Sequence, residues 1–146
     1  MRVDFHFNVD HRLHYACRVV RKARSAGKTV LAFAREPDRL ARFDAALWTF
    51  SALDFLPHVY AESPLAVQTP IVLTLSAPPA AAHHVLLNLD DDTPPDFTRW
   101  IAGFERVIEI ASTEEACRDR GRQRYRAYRA AGLEISHHDQ AGRESA

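Results

Sequence analysis

The sequence predicts a three-layer α/β domain built around a mostly parallel sheet, and three observations lead there. Short apolar runs alternate with amphipathic helical runs along the whole chain. Runs such as Thr29–Ala34 (TVLAFA) are too apolar for a sheet face open to water. The 146 residues leave room for one domain, which at this size buries roughly 70% of the surface its unfolded chain exposes. Strands that alternate with helices and are apolar on both faces belong to a parallel sheet covered on both sides.

The elements follow in order. Val3–Phe7 reads as a strand, and His11–Ala26 as a helix with Leu13, Ala16, Cys17 and Val20 on one face. Thr29–Ala34 is the second strand. Glu36–Trp48 is the second helix, with Pro37 suited to its first turn and Leu40, Phe43, Ala46 and Leu47 on one side. His58–Tyr60 is a short strand, and Ile71–Leu75 and His84–Leu89 are two more, separated by the turn-forming Ala77-Pro78-Pro79. Pro95–Ala102 is a short helix, Arg106–Ala111 (RVIEIA) a strand, and Thr113–Ala131 the longest helix. The sheet reads as Rossmann-like, with room for one antiparallel edge. From Ile135 the chain (ISHHDQAGRESA) turns polar and is expected to fray, so residues 1–134 form the domain and 135–146 a flexible tail.

Composition narrows the function. The chain is 47% hydrophobic and 26% charged with a formal net charge of zero, which argues against a protein that coats nucleic acid over its whole surface. No run reaches the ~20 apolar residues of a membrane helix, and residues 1–20 are broken by charges where a signal peptide needs an apolar core. The expected location is therefore the cytoplasm. There, Cys17 and Cys117 read as small buried hydrophobes, neither paired nor metal-bound. Charge is uneven: 88–96 (NLDDDTPPD) is acidic, while 118–129 (RDRGRQRYRAYR) carries six arginines against one aspartate. Such asymmetry often marks a partner surface.

No catalytic set emerges. A nucleotide site in this fold class lies at the carboxyl ends of the strands and needs glycines, so that backbone N–H groups can reach phosphates. The loops Asn8–His11, Arg35–Asp38, Ser76–Ala80 and Asp90–Pro95 contain none. Gly27, Gly103 and Gly132 each follow a helix and suit a left-handed C-cap. Ala26-Gly27-Lys28-Thr29 imitates the end of a P-loop, but Lys22 stands where the first glycine belongs, and a helix precedes where a strand should. No serine sits in G-x-S-x-G. Eight histidines include His11-x-x-His14 and the adjacent pairs His83-His84 and His137-His138, with no cysteine or acidic partner at ligand spacing. Asp90-Asp91-Asp92 follows a buried strand and has two readings, a solvated loop or a Mg²⁺ site joined by Asp38 or Asp10. The second would make the chain a metal-dependent phosphoryl-transfer enzyme.

Two surfaces suit partners better than substrates. Arg118, Arg122, Tyr125, Arg126 and Arg129 share one face of the last helix, while Cys117, Gly121, Tyr128 and Ala131 fall on the side expected to pack on the sheet. The arginine face fits a solvated basic helix, a reader of single-stranded DNA phosphates, or a receptor for carboxylates beside an aromatic contact. Among other helices only the first, with Arg12, Arg18, Arg21, Lys22 and Arg24, is clearly basic. The second surface runs from Trp48 and Phe50 to Phe55 and Pro57. It is either an exposed aromatic docking patch or a cap on the core.

Five segments now stand in a telling order: Asp44-Ala45-Ala46-Leu47-Trp48, Phe55-Leu56-Pro57-His58, Val85-Leu86-Leu87-Asn88-Leu89, Phe104-Glu105-Arg106-Val107-Ile108-Glu109, and Arg124-Tyr125-Arg126-Ala127-Tyr128-Arg129 with Gly132 shortly after. Their order and spacing, from about Val3 to Leu133, resemble the chi subunit family of bacterial DNA polymerase III. The resemblance implies a Rossmann-like accessory subunit with no cofactor, metal or catalytic residue of its own. It implies that the chain pairs with the psi subunit, and through it indirectly with the clamp loader. It also implies binding of the acidic C-terminal tail of single-stranded DNA-binding protein, so that contact with DNA is indirect. Carried over by position, the tail site is Arg118, Arg122, Tyr125 and Arg126, bordered by Ala111, and the psi site is Trp48 and Phe55 with Pro57 nearby. Ala111 is smaller than the apolar residue the family leads one to expect there, and the chain beyond Ser136 has no clear counterpart.

Overall fold

Each central strand divides its side chains between two cores, as the two-residue period of a pleated strand requires. The computed structural model describes residues 1–50, 55–76 and 83–142. In chain order the elements are β1 (Arg2–Val9), α1 (Arg12–Ser25), β2 (Val30–Phe33), α2 (Pro37–Thr49), β3 (His58–Tyr60), β4 (Ile71–Thr74), β5 (Val85–Asn88), α3 (Phe97–Trp100), β6 (Arg106–Ser112), α4 (Glu115–Ala130) and β7 (Ile135–Asp139). Short 3₁₀ turns lie at Ala66–Gln68 and Ile101–Gly103. Val30 and Ala32 of β2, Ile71 and Leu73 of β4, and Ile108 and Ile110 of β6 join Ala16, Val20, Leu40 and Phe43 of α1 and α2. The alternate residues Leu31, Phe33, Val72 and Val107 join Ile101 and Tyr128 on the side of α3 and α4. Helices on both faces of one sheet make the three layers of a Rossmann-like α/β domain.

The strands pair in the order β3-β4-β2-β5-β6-β1-β7. Every pairing among the described residues is parallel, so the antiparallel edge allowed for does not form.

The polar stretch expected to fray is instead the edge strand β7, in register with β1 from Val3↔Ile135 to Phe7↔Asp139. Gly132 adopts φ +78° after α4, and Leu133 N–H returns to the Tyr128 carbonyl, turning the chain back toward β1. Ile135 alone packs against the core. An edge strand needs little more, since polar residues on its open side discourage pairing with other chains.

Gly27 (φ +75°) is also left-handed, but Gly103 is not and simply ends a 3₁₀ turn. The turn at Ala77-Pro78-Pro79 lies outside the described residues. Among the described residues no helix is long and apolar enough to cross a membrane.

Candidate docking surfaces

Helix α4 carries opposite chemistry on its two sides. Gly121, Arg124 and Tyr128 are buried against the sheet, while Arg118, Arg122, Arg126 and Arg129 are exposed. Ala131, expected on the packed side, is exposed at the helix end, and Arg124 takes part in the packing instead. Gly121 sets the depth of this contact: a Cβ added there would lie 2.7 Å from the Cβ of Ala111. Glycine facing alanine lets α4 settle closely on β6, so the small size of Ala111 is matched by its neighbour.

Beside this contact a cavity of about 660 Å³ opens to solvent. All five residues expected of the tail site line it: Ala111, Arg118, Arg122, Tyr125 and Arg126. Phe5, Phe7 and Asn8 of β1, Arg129 of α4 and His137 of β7 complete the wall. The Tyr125 ring meets Phe5 edge-on at 5.7 Å, and its hydroxyl is hydrogen bonded to His137 Nε2 at 2.8 Å. Asn8, in the left-handed region at φ 61°, donates its side-chain amide to Asp139 at 2.8 Å and ties the rim of β1 to β7. Of the four exposed arginines only Arg122 has a nearby carboxylate, Asp119 at 3.6 Å; Arg118, Arg126 and Arg129 form no ion pair among the described residues. An apolar slot ringed by largely uncompensated guanidinium groups suits a ligand that brings carboxylates and an apolar group together.

The second surface lies at the far edge of the sheet. Leu47 and Leu56 enter the core, whereas Trp48 is 56% and Phe55 72% exposed, and Pro57 is exposed beside them. Of the two readings of Trp48, an exposed ring is what the fold contains. Its centroid lies 5.9 Å from that of Phe55 and 4.5 Å from that of His58. Phe50 leaves the patch and packs on the α1 side, near His14 at 5.4 Å and under the Arg21 guanidinium at 5.0 Å.

Comparison with known proteins identifies the family. The family model described as "DNA polymerase III chi subunit, HolC" matches residues 1–136. The chain belongs to the DNA polymerase III chi subunit family. Its relatives include the DNA polymerase III subunit chi of Pseudomonas aeruginosa, 31% identical over 141 residues that cover 94% of this chain and 95% of the relative. The subunit chi of Escherichia coli is 25% identical over 121 residues, covering 82% of this chain and 80% of that protein.

In this chi-family chain the carboxyl ends of the strands, where related folds hold phosphates, carry internal ion pairs beside an open cavity of about 610 Å³ lined by Asp10, Arg12, Arg39, Asp91 and Arg120. Arg35 reaches Asp90 and Asp92, both at 2.8 Å, Arg39 reaches Asp91 at 3.1 Å, and Arg120 reaches Asp92 at 3.0 Å. Burial pushes the Asp91 carboxyl up, but the Arg39 hydrogen bond and the charges of Arg39, Arg12 and Arg124 outweigh it and hold the group below its usual range. The loop at Asp90–Asp92 is thus an ionic latch that is only partly solvated, with Asp90 4% exposed and the Asp91 and Asp92 side chains 43% and 50% exposed. The same arginines leave the carboxylates little free charge for Mg²⁺. Among the described residues no three His, Cys, Asp or Glu side chains are grouped to hold a metal.

Beneath the latch lies a buried network absent from the sequence reading. Arg124 Nε donates to Glu109 at 2.7 Å, and Asn88 and Tyr128 donate to the other carboxylate oxygen at 2.8 and 2.5 Å. The available signal was Glu109 itself, a charge in the apolar run RVIEIA and in phase with Val107 and Ala111.

Proposed function

We propose that this chain is a non-catalytic accessory subunit of a cytoplasmic DNA polymerase III complex. In this reading Trp48, Phe55 and Pro57 engage psi, linking the chain indirectly to the clamp loader. The cavity beside α4 takes the acidic C-terminal tail of single-stranded DNA-binding protein. The observation that carries the proposal is the set of exposed arginines around an apolar cavity, of which Arg118 and Arg126 form no ion pair among the described residues and Arg122 only a long one with Asp119; in this reading the three meet carboxylates and Tyr125 with Ala111 walls the slot for a ring. A direct grip on single-stranded DNA has less support, because Arg18 and Arg21 of the other basic helix lie over the Tyr15 and Phe50 rings.

The test is calorimetric titration with a peptide of several aspartates, a final phenylalanine and a free α-carboxylate. A charge-assisted hydrogen bond contributes about 1.5–3 kcal/mol, so Arg122→Ala weakens binding roughly ten- to a hundred-fold. Arg122→Lys recovers part of this, keeping the charge but losing the fork. Arg120→Ala changes little, because Arg120 is paired with Asp92. Equal losses at Arg120 and Arg122 would reveal a diffuse basic surface and remove the pocket reading. At the other surface, Trp48→Ala weakens the psi complex by about 2–4 kcal/mol while the isolated fold survives.

A further inference from the structure

Behind the exposed Trp48 ring lies a buried histidine paired with a part-exposed aspartate. His58 opens β3, and its side chain is only 1% exposed. Its ring sits 4.5 Å from the indole at an interplanar angle of 49°. Nδ1 is bonded to the Leu56 carbonyl at 2.7 Å, and Nε2 meets Asp44 Oδ1 at 2.7 Å. Both ring nitrogens are thus engaged by oxygen partners. Asp44 and Trp48 stand one turn apart on α2, so they share a face. Carboxylate, imidazole and indole therefore form a chain that leaves α2, crosses to β3 and returns to α2.

Leucine or phenylalanine would fill the space under Trp48 without the desolvation cost of a buried imidazole. What the imidazole adds is direction: tied at both nitrogens, it cannot rotate, and it presents a fixed face to the indole. An exposed tryptophan otherwise loses side-chain freedom on docking, and a ring already held in place avoids that loss. We propose that His58, fixed by Asp44 and the Leu56 carbonyl, is a positioning residue that holds Trp48 and Phe55 in the orientation that receives a partner's apolar side chains. The proposal rests on the use of this surface for psi.

A double-mutant cycle on the full chain, read as psi affinity by calorimetry, separates positioning from general support. His58→Phe and Asp44→Asn each weaken binding roughly three- to ten-fold, the cost of one newly immobilised side chain. In the Trp48→Ala background neither weakens it further, because the residue through which they act is gone. Additive losses, or no loss from either change alone, would overturn the proposal. Asp44→Asn carries the cycle if His58→Phe does not fold. A second readout is independent of psi. Trp48 and Trp100 are the two tryptophans, so Trp100→Phe leaves Trp48 as sole reporter. Its anisotropy decay then gains a fast local component in His58→Phe; an unchanged decay would overturn the positioning role. Undiminished psi binding by Trp48→Ala would remove the docking reading and this proposal with it. A loss in Trp48→Ala with silent His58→Phe and Asp44→Asn would remove this proposal alone.

Discussion

Replacing Arg124 with methionine tests the buried network directly. The Arg124 and Glu109 side chains are 1% and 0% exposed. Besides Glu109, Arg124 donates to the carbonyls of Asp91 at 2.8 Å and Ile110 at 3.3 Å. Burial opposes the guanidinium charge, yet the Glu109 carboxylate outweighs burial and holds its pKa above the ordinary value. Methionine fills much of the volume but leaves a carboxylate in the core with only neutral donors, Asn88 and Tyr128. Removing one member of a buried ion pair costs about 3–5 kcal/mol. At roughly 2–4 °C per kcal/mol for a chain of this size, Arg124→Met melts about 6–20 °C lower. Urea denaturation followed by circular dichroism measures the loss. Adding Glu109→Gln removes the stranded charge and recovers at least half of it. A cost below about 1 kcal/mol for Arg124→Met, or simple additivity in the double variant, would show that the carboxylate is not held by Arg124.

Further predictions concern pH, packing and ligands. Burial, the stacked His138 ring at 4.4 Å, and the charges of Lys22 and Arg106 lower the His6 pKa from 6.5 to about 4, against an opposing pull from Asp4. The unfolded chain therefore binds more protons in that window, so the stability contributed is full above pH 6.5 and is lost as pH falls toward about 4, up to about 3 kcal/mol. Urea midpoints across the window should fall for the native chain and flatten in His6→Phe; equal slopes would refute the assignment. Gly121→Ala drives a Cβ to within 2.7 Å of the Ala111 Cβ and costs about 1–3 kcal/mol. Ala111→Gly restores stability if that contact is the cause, as thermal melts would show. Saturating ATP or NAD with Mg²⁺ leaves the melting temperature unchanged, whereas a reproducible rise of several degrees would mean a nucleotide site exists.

The fold was legible where periodicity was strong. The continuous apolar runs of β2, β4 and β5 and the amphipathic stripes of α1 and α2 mark themselves, because burial on two faces and burial on one leave different patterns. Strand β7 was not legible: at an edge, its pairing with β1 is made by backbone groups that leave no trace in ISHHD. Helical spacing alone put Arg118, Arg122, Tyr125 and Arg126 on one face, but the far wall of their cavity comes from Phe5, Phe7 and His137, which no local pattern connects to them. Arg124 was hidden because an arginine inside a basic helix resembles its exposed neighbours until its partner on β6 is known. Asp90–Asp92 misled for a related reason, since three aspartates in a loop suggest water or metal, and the neutralising arginines arrive from three other segments.

The two candidate surfaces sit at opposite edges of one sheet, Trp48 beside β3 and the arginine cavity against β1, β6 and β7. Six interstrand spacings of about 4.8 Å separate the edge strands, a span of about 29 Å. If the two surfaces are used as proposed, then, with no residue shared between them among the described residues, psi and the peptide tail should bind with additive free energies, neither altering the other's affinity. What the sheet then contributes is reach. In the proposed reading, a stiff spacer of fixed length would hold one partner at a high effective concentration near the other's surroundings, and a longer or more pliant body would dilute that advantage without changing either contact.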